Sequence, residues 1–82
     1  MVVEGLERIL RMCEANEVRG CRRLAELLDS VGRIPEDLLL QVIAGALEDI
    51  EAEARARGLD DMAMAAGEAR RDVEWALREG GW

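Results

Sequence analysis

The chain has 82 residues, which is enough for one domain built around a single hydrophobic core. It carries 18 acidic and 11 basic residues, and its net charge of −7 comes entirely from residues 36–82. Because such a chain is repelled by phosphate groups, direct binding to DNA, RNA or an anionic membrane is disfavoured, and a basic partner protein is favoured.

The apolar spacing in residues 1–34 predicts a helical hairpin. Asn16 and Gly20 mark the break between its two helices, and Gly32 marks the end of the second. In each helix the apolar residues recur three or four positions apart and therefore share one face. They are Val2, Leu6, Ile9, Leu10 and Cys13 in the first helix, and Cys21, Leu24, Leu27, Leu28 and Val31 in the second.

Residues 35–79 predict a second and longer hairpin. Pro35 suits the first turn of a third helix, which we expect to run to about Arg57, and Gly58 suits a left-handed cap. Asp60 is the predicted N-cap of a fourth helix that ends near Glu79. The inner faces are Leu38, Leu39, Leu40, Val42, Ile43, Ala46, Leu47, Ile50 and Ala54 in the third helix, and Met62, Ala66, Ala69, Val73, Ala76 and Leu77 in the fourth.

Small residues in this second hairpin predict close packing between helices. Gly45 destabilises a helix interior by about 1 kcal/mol relative to Ala, so we expect the backbone to approach a neighbour there, either the fourth helix or a second copy of the chain. The whole pattern predicts an all-α protein of one domain, residues 1–82. Its architecture is a small antiparallel bundle of about four helices, in which residues 1–34 form the amino-terminal hairpin.

The two cysteines, Cys13 and Cys21, predict a reducing environment. Secreted domains held together by disulfides usually contain more cysteines and begin with a leader peptide, and the start of this sequence has no basic segment followed by an apolar one. No run of apolar residues reaches the length of a membrane span. We therefore expect two reduced thiols in the core and a cytoplasmic protein.

The composition argues against catalysis and against a cofactor or metal. The chain contains neither His nor Lys, so the usual general base and the usual amine nucleophile are absent. Glu48 and Glu51 resemble one half of the metal-binding motif of helical nucleotide pyrophosphohydrolases. That family pairs this half with a downstream Glu-x-x-Asp, whereas here Glu68 is followed three residues later by Arg71. We expect a protein that is not an enzyme.

A basic stretch, residues 22–28, resembles the first helix of a helix-turn-helix. The helix after it should carry polar and basic residues to the DNA bases, but it begins with Pro35, Glu36 and Asp37. Because carboxylates at that position are repelled by DNA, we expect no DNA recognition.

One surface of the fourth helix is a candidate partner-binding site. Met64, Glu68, Arg71 and Trp75 lie on one side of it, opposite the inner face, and Trp82 extends the stripe if the last turn continues. Tryptophan is enriched in the residues that dominate binding energy at interfaces. The alternative is that the amino-terminal hairpin folds over Trp75 and buries it.

A second candidate surface is acidic and lies on the third helix. Glu48, Asp49, Glu51 and Glu53 have spacings similar to those of phosphates along a nucleic-acid strand, a device used by small phage inhibitors that include some anti-CRISPR proteins. The simpler interpretation is that Glu51 and Glu53 form ordinary ion pairs with the arginines four residues later, on a solvated face.

These patterns predict a small acidic helical interaction module, an adaptor, regulator or inhibitor, that binds a protein partner and forms a homodimer. The first alternative is a phage-type inhibitor that blocks a nucleic-acid-binding protein by charge mimicry. A further alternative is a sponge for a small anionic ligand, held by Arg19, Arg22 and Arg23.

Overall fold

The computed structural model describes residues 2–80, with side chains from residue 4 onward. Over this range the chain forms four helices and no strand. They are α1 (Val2–Asn16), α2 (Gly20–Asp29), α3 (Glu36–Ala56) and α4 (Asp60–Glu79). The sequence-based prediction of an all-α bundle is confirmed. No helix in the described part of the chain is both long enough and apolar enough to cross a membrane.

Each helix of the bundle packs against two neighbours. The α3–α4 interface is the most extensive, α1 lies against α4, α2 lies against α3, and α1 and α2 touch each other least. The connections between successive helices are only three to six residues long, so consecutive helices run antiparallel.

The core lies between all four helices and is aliphatic. Ten large side chains are fully buried: Leu6, Ile9, Leu24, Leu39, Leu40, Ile43, Leu47, Ile50, Met62 and Val73. Alanines fill the remaining inner positions of α3 and α4, among them Ala46, Ala54, Ala66, Ala69 and Ala76. Because these side chains are short, the two longest helices approach closely.

The end of α3 is closed by the predicted left-handed cap. Gly58 has φ +72°, its N–H donates to the carbonyl of Arg55 over 3.2 Å, and the N–H of Leu59 donates to the carbonyl of Ala54 over 2.8 Å. This pair of bonds is a Schellman motif. Asp60, predicted as the N-cap of α4, is instead its first residue, and Leu59 occupies the N-cap position without a side-chain hydrogen bond.

Three details of the predicted helical faces are wrong. The second helix ends at Asp29 rather than near Gly32, so Val31, expected on the inner face, is 52% exposed. Leu38, in the first turn of α3 and expected on the inner face, is 50% exposed. Gly45 is exposed, and a Cβ built there would meet no atom within 4 Å, so α4 does not approach the backbone there, and the alternative of a second copy stays a prediction.

The closest backbone approach that requires glycine occurs at Gly20, the first residue of α2. A Cβ built there would lie 2.7 Å from Cγ1 of Ile50 and 3.4 Å from the carbonyl oxygen of Ala46. Any side chain at this position would push α2 away from α3. Glycine therefore sets the distance between α2 and α3, and not the distance between α3 and α4.

The cysteines differ from the sequence-based prediction. Cys13, in the last turn of α1, and Cys21, in the first turn of α2, form a disulfide with a Cα–Cα distance of 5.8 Å. The prediction of two reduced thiols was therefore wrong. The three-residue connection turns α2 back on α1 and brings the two residues together, although they are eight positions apart in the sequence.

The connection between α1 and α2 is also held against α3. The backbone N–H of Arg19 donates to both carboxylate oxygens of Glu53 over 3.4 Å, and the guanidinium of Arg57 donates to the carbonyl of Glu17 over 3.4 Å. Glu17 directly follows α1 and has φ +51°, a left-handed conformation that residues other than glycine rarely adopt. The contacts to α3 hold the chain in this turn.

Candidate partner-binding surface

The predicted stripe on α4 is exposed in the structure. Met64 and Trp75 are three helical turns apart, about 16 Å, and expose 66% and 56% of their surface. Glu68 and Arg71 lie between them and are also exposed. These four residues are called the Trp75 face below. Trp82, the fifth predicted member, lies outside the described residues.

The amino-terminal hairpin does not bury Trp75. Helix α1 packs on the side of α4 that carries Ala69, where a Cβ built at Gly5 would lie 3.8 Å from the alanine methyl group. The inner stripe of α4 faces the core, with Val73 fully buried. Trp75 therefore lies on the solvent side of the bundle, and burial of it requires a second molecule.

The charges around the Trp75 face are mostly negative. The exposed acidic residues of α4 are Asp60, Asp61, Glu68, Asp72, Glu74 and Glu79, whereas Arg71 and Arg78 are its exposed arginines. Arg71 forms no hydrogen bond or ion pair with another described residue. The face thus combines two large apolar side chains with one unpaired cation inside an acidic surrounding.

The second predicted surface does not form one acidic face. Glu48 and Asp49 are exposed, but Glu53 is partly buried. Its carboxylate forms an ion pair with Nη1 of Arg57 at 3.3 Å and accepts a hydrogen bond from the backbone N–H of Arg19. Glu51, predicted on a solvated face, is buried. The prediction of four adjacent exposed carboxylates was therefore wrong.

The burial of Glu51 follows from its position in the helix. It lies four residues after Leu47 and three before Ala54, both of which are fully buried, so its side chain leaves α3 on the side that faces α4. This spacing was visible in the sequence. The charge of a glutamate nevertheless favours an exposed position, and here the two arginines of an ion-pair network offset it.

Glu51 is the centre of an ion-pair network between α3 and α4. Its Oε2 lies 2.6 Å from Nη2 of Arg55, and its Oε1 lies 3.3 Å from Nη2 of Arg70. Nε of Arg70 in turn lies 3.9 Å from a carboxylate oxygen of Glu74. The network joins the two helices on the side next to the Trp75 face.

A cleft of about 360 Å³ opens beside this network, between α3 and α4. It is called the Glu51 cleft below. Its lining consists of Glu51, Arg55, Asp60, Ala63, Met64, Gly67, Arg70 and Arg71. Met64 and Arg71 belong to the Trp75 face as well, so a molecule bound to that face also covers the cleft.

The three arginines proposed to bind an anionic ligand do not line one common cavity. Arg19 and Arg22 line an open groove of about 760 Å³ between α1 and α2, and Arg23 does not line it. All three side chains are exposed. Among the described residues, no group of three or more acidic or cysteine side chains is arranged to hold a metal ion.

Comparison with known proteins adds no relative. No protein-family profile matches the chain, and neither a curated protein nor a solved structure is detectably similar to it.

Proposed function

We propose that the protein is a non-catalytic interaction module that binds a protein partner through the Trp75 face. The observation that carries the proposal is the joint exposure of Trp75 and Met64 on one side of α4. Burying a tryptophan at an interface releases a large apolar area from water, and such residues often dominate binding energy. Arg71 lies between them without a partner among the described residues and adds a charged contact.

The charge around the face favours a basic partner over a second copy of the chain. Exposed acidic residues on α4 outnumber exposed arginines, and the whole chain has a net charge of −7. Two copies that meet through this face bring like charges together, whereas a basic surface is attracted to it. We therefore propose a basic foreign protein as the occupant, and the predicted homodimer becomes a competing outcome of the test.

The experiment is affinity capture from the native host with three baits: wild type, Trp75→Ala and Leu38→Ala. Leu38 is a matched control, because it is also a half-exposed apolar residue but lies on α3, away from the Trp75 face. We expect wild type and Leu38→Ala to retain the same basic protein at about 0.5 M salt, where surface charges are screened. Trp75→Ala should lose it, with affinity reduced about thirtyfold or more.

Two results would contradict the proposal. One is equal capture by wild type and Trp75→Ala. The other is a partner that leaves both baits between about 0.1 and 0.5 M salt, since this behaviour indicates charge mimicry rather than an apolar anchor. Sedimentation of the purified chain over a dilution series distinguishes a homodimer, which Trp75→Ala should dissociate if the face joins two copies.

The compartment is a separate proposal. The sequence predicts the cytoplasm, where thiols are kept reduced, whereas the Cys13–Cys21 disulfide persists in an oxidising environment. We propose that the protein works where this bond is maintained. The intact mass of the protein from its native host should be two hydrogen atoms below that of the reduced chain, and the reduced mass would restore the cytoplasmic prediction.

A further inference from the structure

The ion-pair network at the Glu51 cleft is balanced in charge. Arg55 and Arg70 contribute two positive charges, and Glu51 and Glu74 contribute two negative ones. An additional cation next to Glu51 lies beside two guanidinium groups, and an additional anion lies beside a carboxylate. Charge balance therefore favours a neutral ligand at this position.

Two atoms of the network lack hydrogen bonds. Oε1 of Glu51 and Nε of Arg70 are both buried, and neither has a hydrogen-bond partner among the described residues. The Glu51 side chain is only 7% exposed. Since Nη2 of the same Arg70 guanidinium lies 3.3 Å from Oε1, the unsatisfied donor and acceptor are close neighbours. A buried polar atom without a partner is unfavourable, so both atoms favour a ligand that donates and accepts.

Gly67 lies beside this carboxylate in the lining of the cleft. Glycine inside a helix is destabilising relative to alanine, yet a Cβ at this position would lie 3.5 Å from Oε2 and 3.6 Å from Oε1 of Glu51. Those are ordinary contact distances, so packing of α3 against α4 does not require glycine. What glycine provides is space beside both carboxylate oxygens.

We propose that the Glu51 cleft binds a carboxamide, the side-chain end of an asparagine or glutamine in the protein partner. The amide N–H donates to Oε1 of Glu51, and the amide oxygen accepts from Nε of Arg70. The aliphatic part of the side chain packs on Met64, and the exposed side chain of Arg71 at the rim, which has no partner among the described residues, rotates outward to admit it. This inference rests on the proposed function, because the partner bound to the Trp75 face delivers the amide.

The test is a nuclear magnetic resonance titration of the isolated chain with propionamide, a small carboxamide. The signals followed are the backbone amide of Gly67 and the side-chain Nε–H of Arg70. Propionate has nearly the same shape with a negative charge, propylammonium has the same chain length with a positive charge, and both serve as parallel arms. We expect saturable shifts of both signals with propionamide, and affinities about tenfold weaker for the two charged probes, the equivalent of one hydrogen bond.

A pair of glycine variants isolates the cleft. Gly67→Ala fills the space beside Glu51, whereas Gly45→Ala makes the same change at an exposed position on α3. Both variants should fold, because alanine favours the helix. Gly67→Ala should bind propionamide at least about tenfold more weakly, and Gly45→Ala should bind it like wild type.

Three results would overturn the inference: no shift with any probe, equal or stronger binding of a charged probe, or unchanged binding by Gly67→Ala. Trp75→Ala separates this inference from the proposed function, since Trp75 does not line the cleft. That variant should bind propionamide normally even though it loses the protein partner. If partner capture fails, the proposed function is contradicted, and the propionamide titration still tests the Glu51 cleft independently.

Discussion

The two hairpins of the bundle are held together by different means. Helices α3 and α4 pack along most of their length through alanines and aliphatic side chains, and no disulfide joins them. Helices α1 and α2 barely touch, leave an open groove between them, and are joined by the Cys13–Cys21 disulfide. In the second hairpin, small residues permit close packing, and burial of apolar side chains stabilises the helix pair. In the first hairpin, the helices diverge, and the disulfide and the contacts to α3 and α4 stabilise the pair instead.

Several contacts to the other hairpin lie near the end of α3. Gly20 packs against Ile50, and Glu53 and Arg57 bind the connection between α1 and α2. The amino-terminal hairpin is thus supported mainly by α3 and α4 and little by its own helix pair. Substitutions that destabilise the second hairpin should therefore lower the free energy of unfolding of the whole bundle.

The largest effect is expected from Leu47→Ala in the second hairpin. Leu47 is fully buried, so its truncation should remove about 2–5 kcal/mol from the free energy of unfolding. Leu38→Ala, on the same helix but half exposed, should cost less than about 1 kcal/mol. Denaturant unfolding followed by circular dichroism measures both variants, and equal losses would show that burial on α3 is not what stabilises the bundle.

A smaller loss is expected when the disulfide is removed. It closes a loop of about eight residues, which corresponds to about 2.5 kcal/mol of unfolded-state entropy. Addition of a thiol reductant to the wild type should lower the free energy of unfolding by this amount. The reductant should not change the free energy of unfolding of the Cys13→Ala/Cys21→Ala double variant. If it does not change that of the wild type either, the disulfide does not stabilise the fold.

The smallest effect concerns the turn at Glu17 and has the opposite sign. With φ +51°, this residue should be replaced favourably by glycine, and Glu17→Gly should raise the free energy of unfolding by roughly 0.5–1 kcal/mol. Glu17→Ala removes the same side chain without relieving the backbone and is the matched control. A glycine variant no more stable than the alanine variant would show that the turn is not strained.

The sequence predicts most of this fold because helical periodicity is local information. The spacing of Leu39, Ile43, Leu47 and Ile50 identifies the inner face of α3, and Gly58 identifies its end. It does not reveal which helices diverge, because that depends on the packing of all four helices together. Nor does the sequence show that a neighbour approaches the backbone at Gly20 and not at Gly45, because this depends on how the helices pack.

The candidate site was predictable to a similar degree. Met64 and Trp75 were recognisable because they oppose the inner stripe of α4, and both are exposed in the structure. The Glu51 cleft was missed, since it depends on α3 and α4 contributing Glu51, Gly67 and Arg70 to one place. The pairing of Arg70 with Glu51, nineteen residues away in the sequence, has no periodic signal.

The assignment of Trp75 to the solvent side of α4 is tested most directly by the stability of Trp75→Ala. Denaturant unfolding of this variant and of the wild type should give free energies that differ by less than about 1 kcal/mol, because the side chain is 56% exposed. A loss of about 3–5 kcal/mol is the cost of truncating a core tryptophan. That result would place Trp75 inside the bundle and remove the proposed binding face.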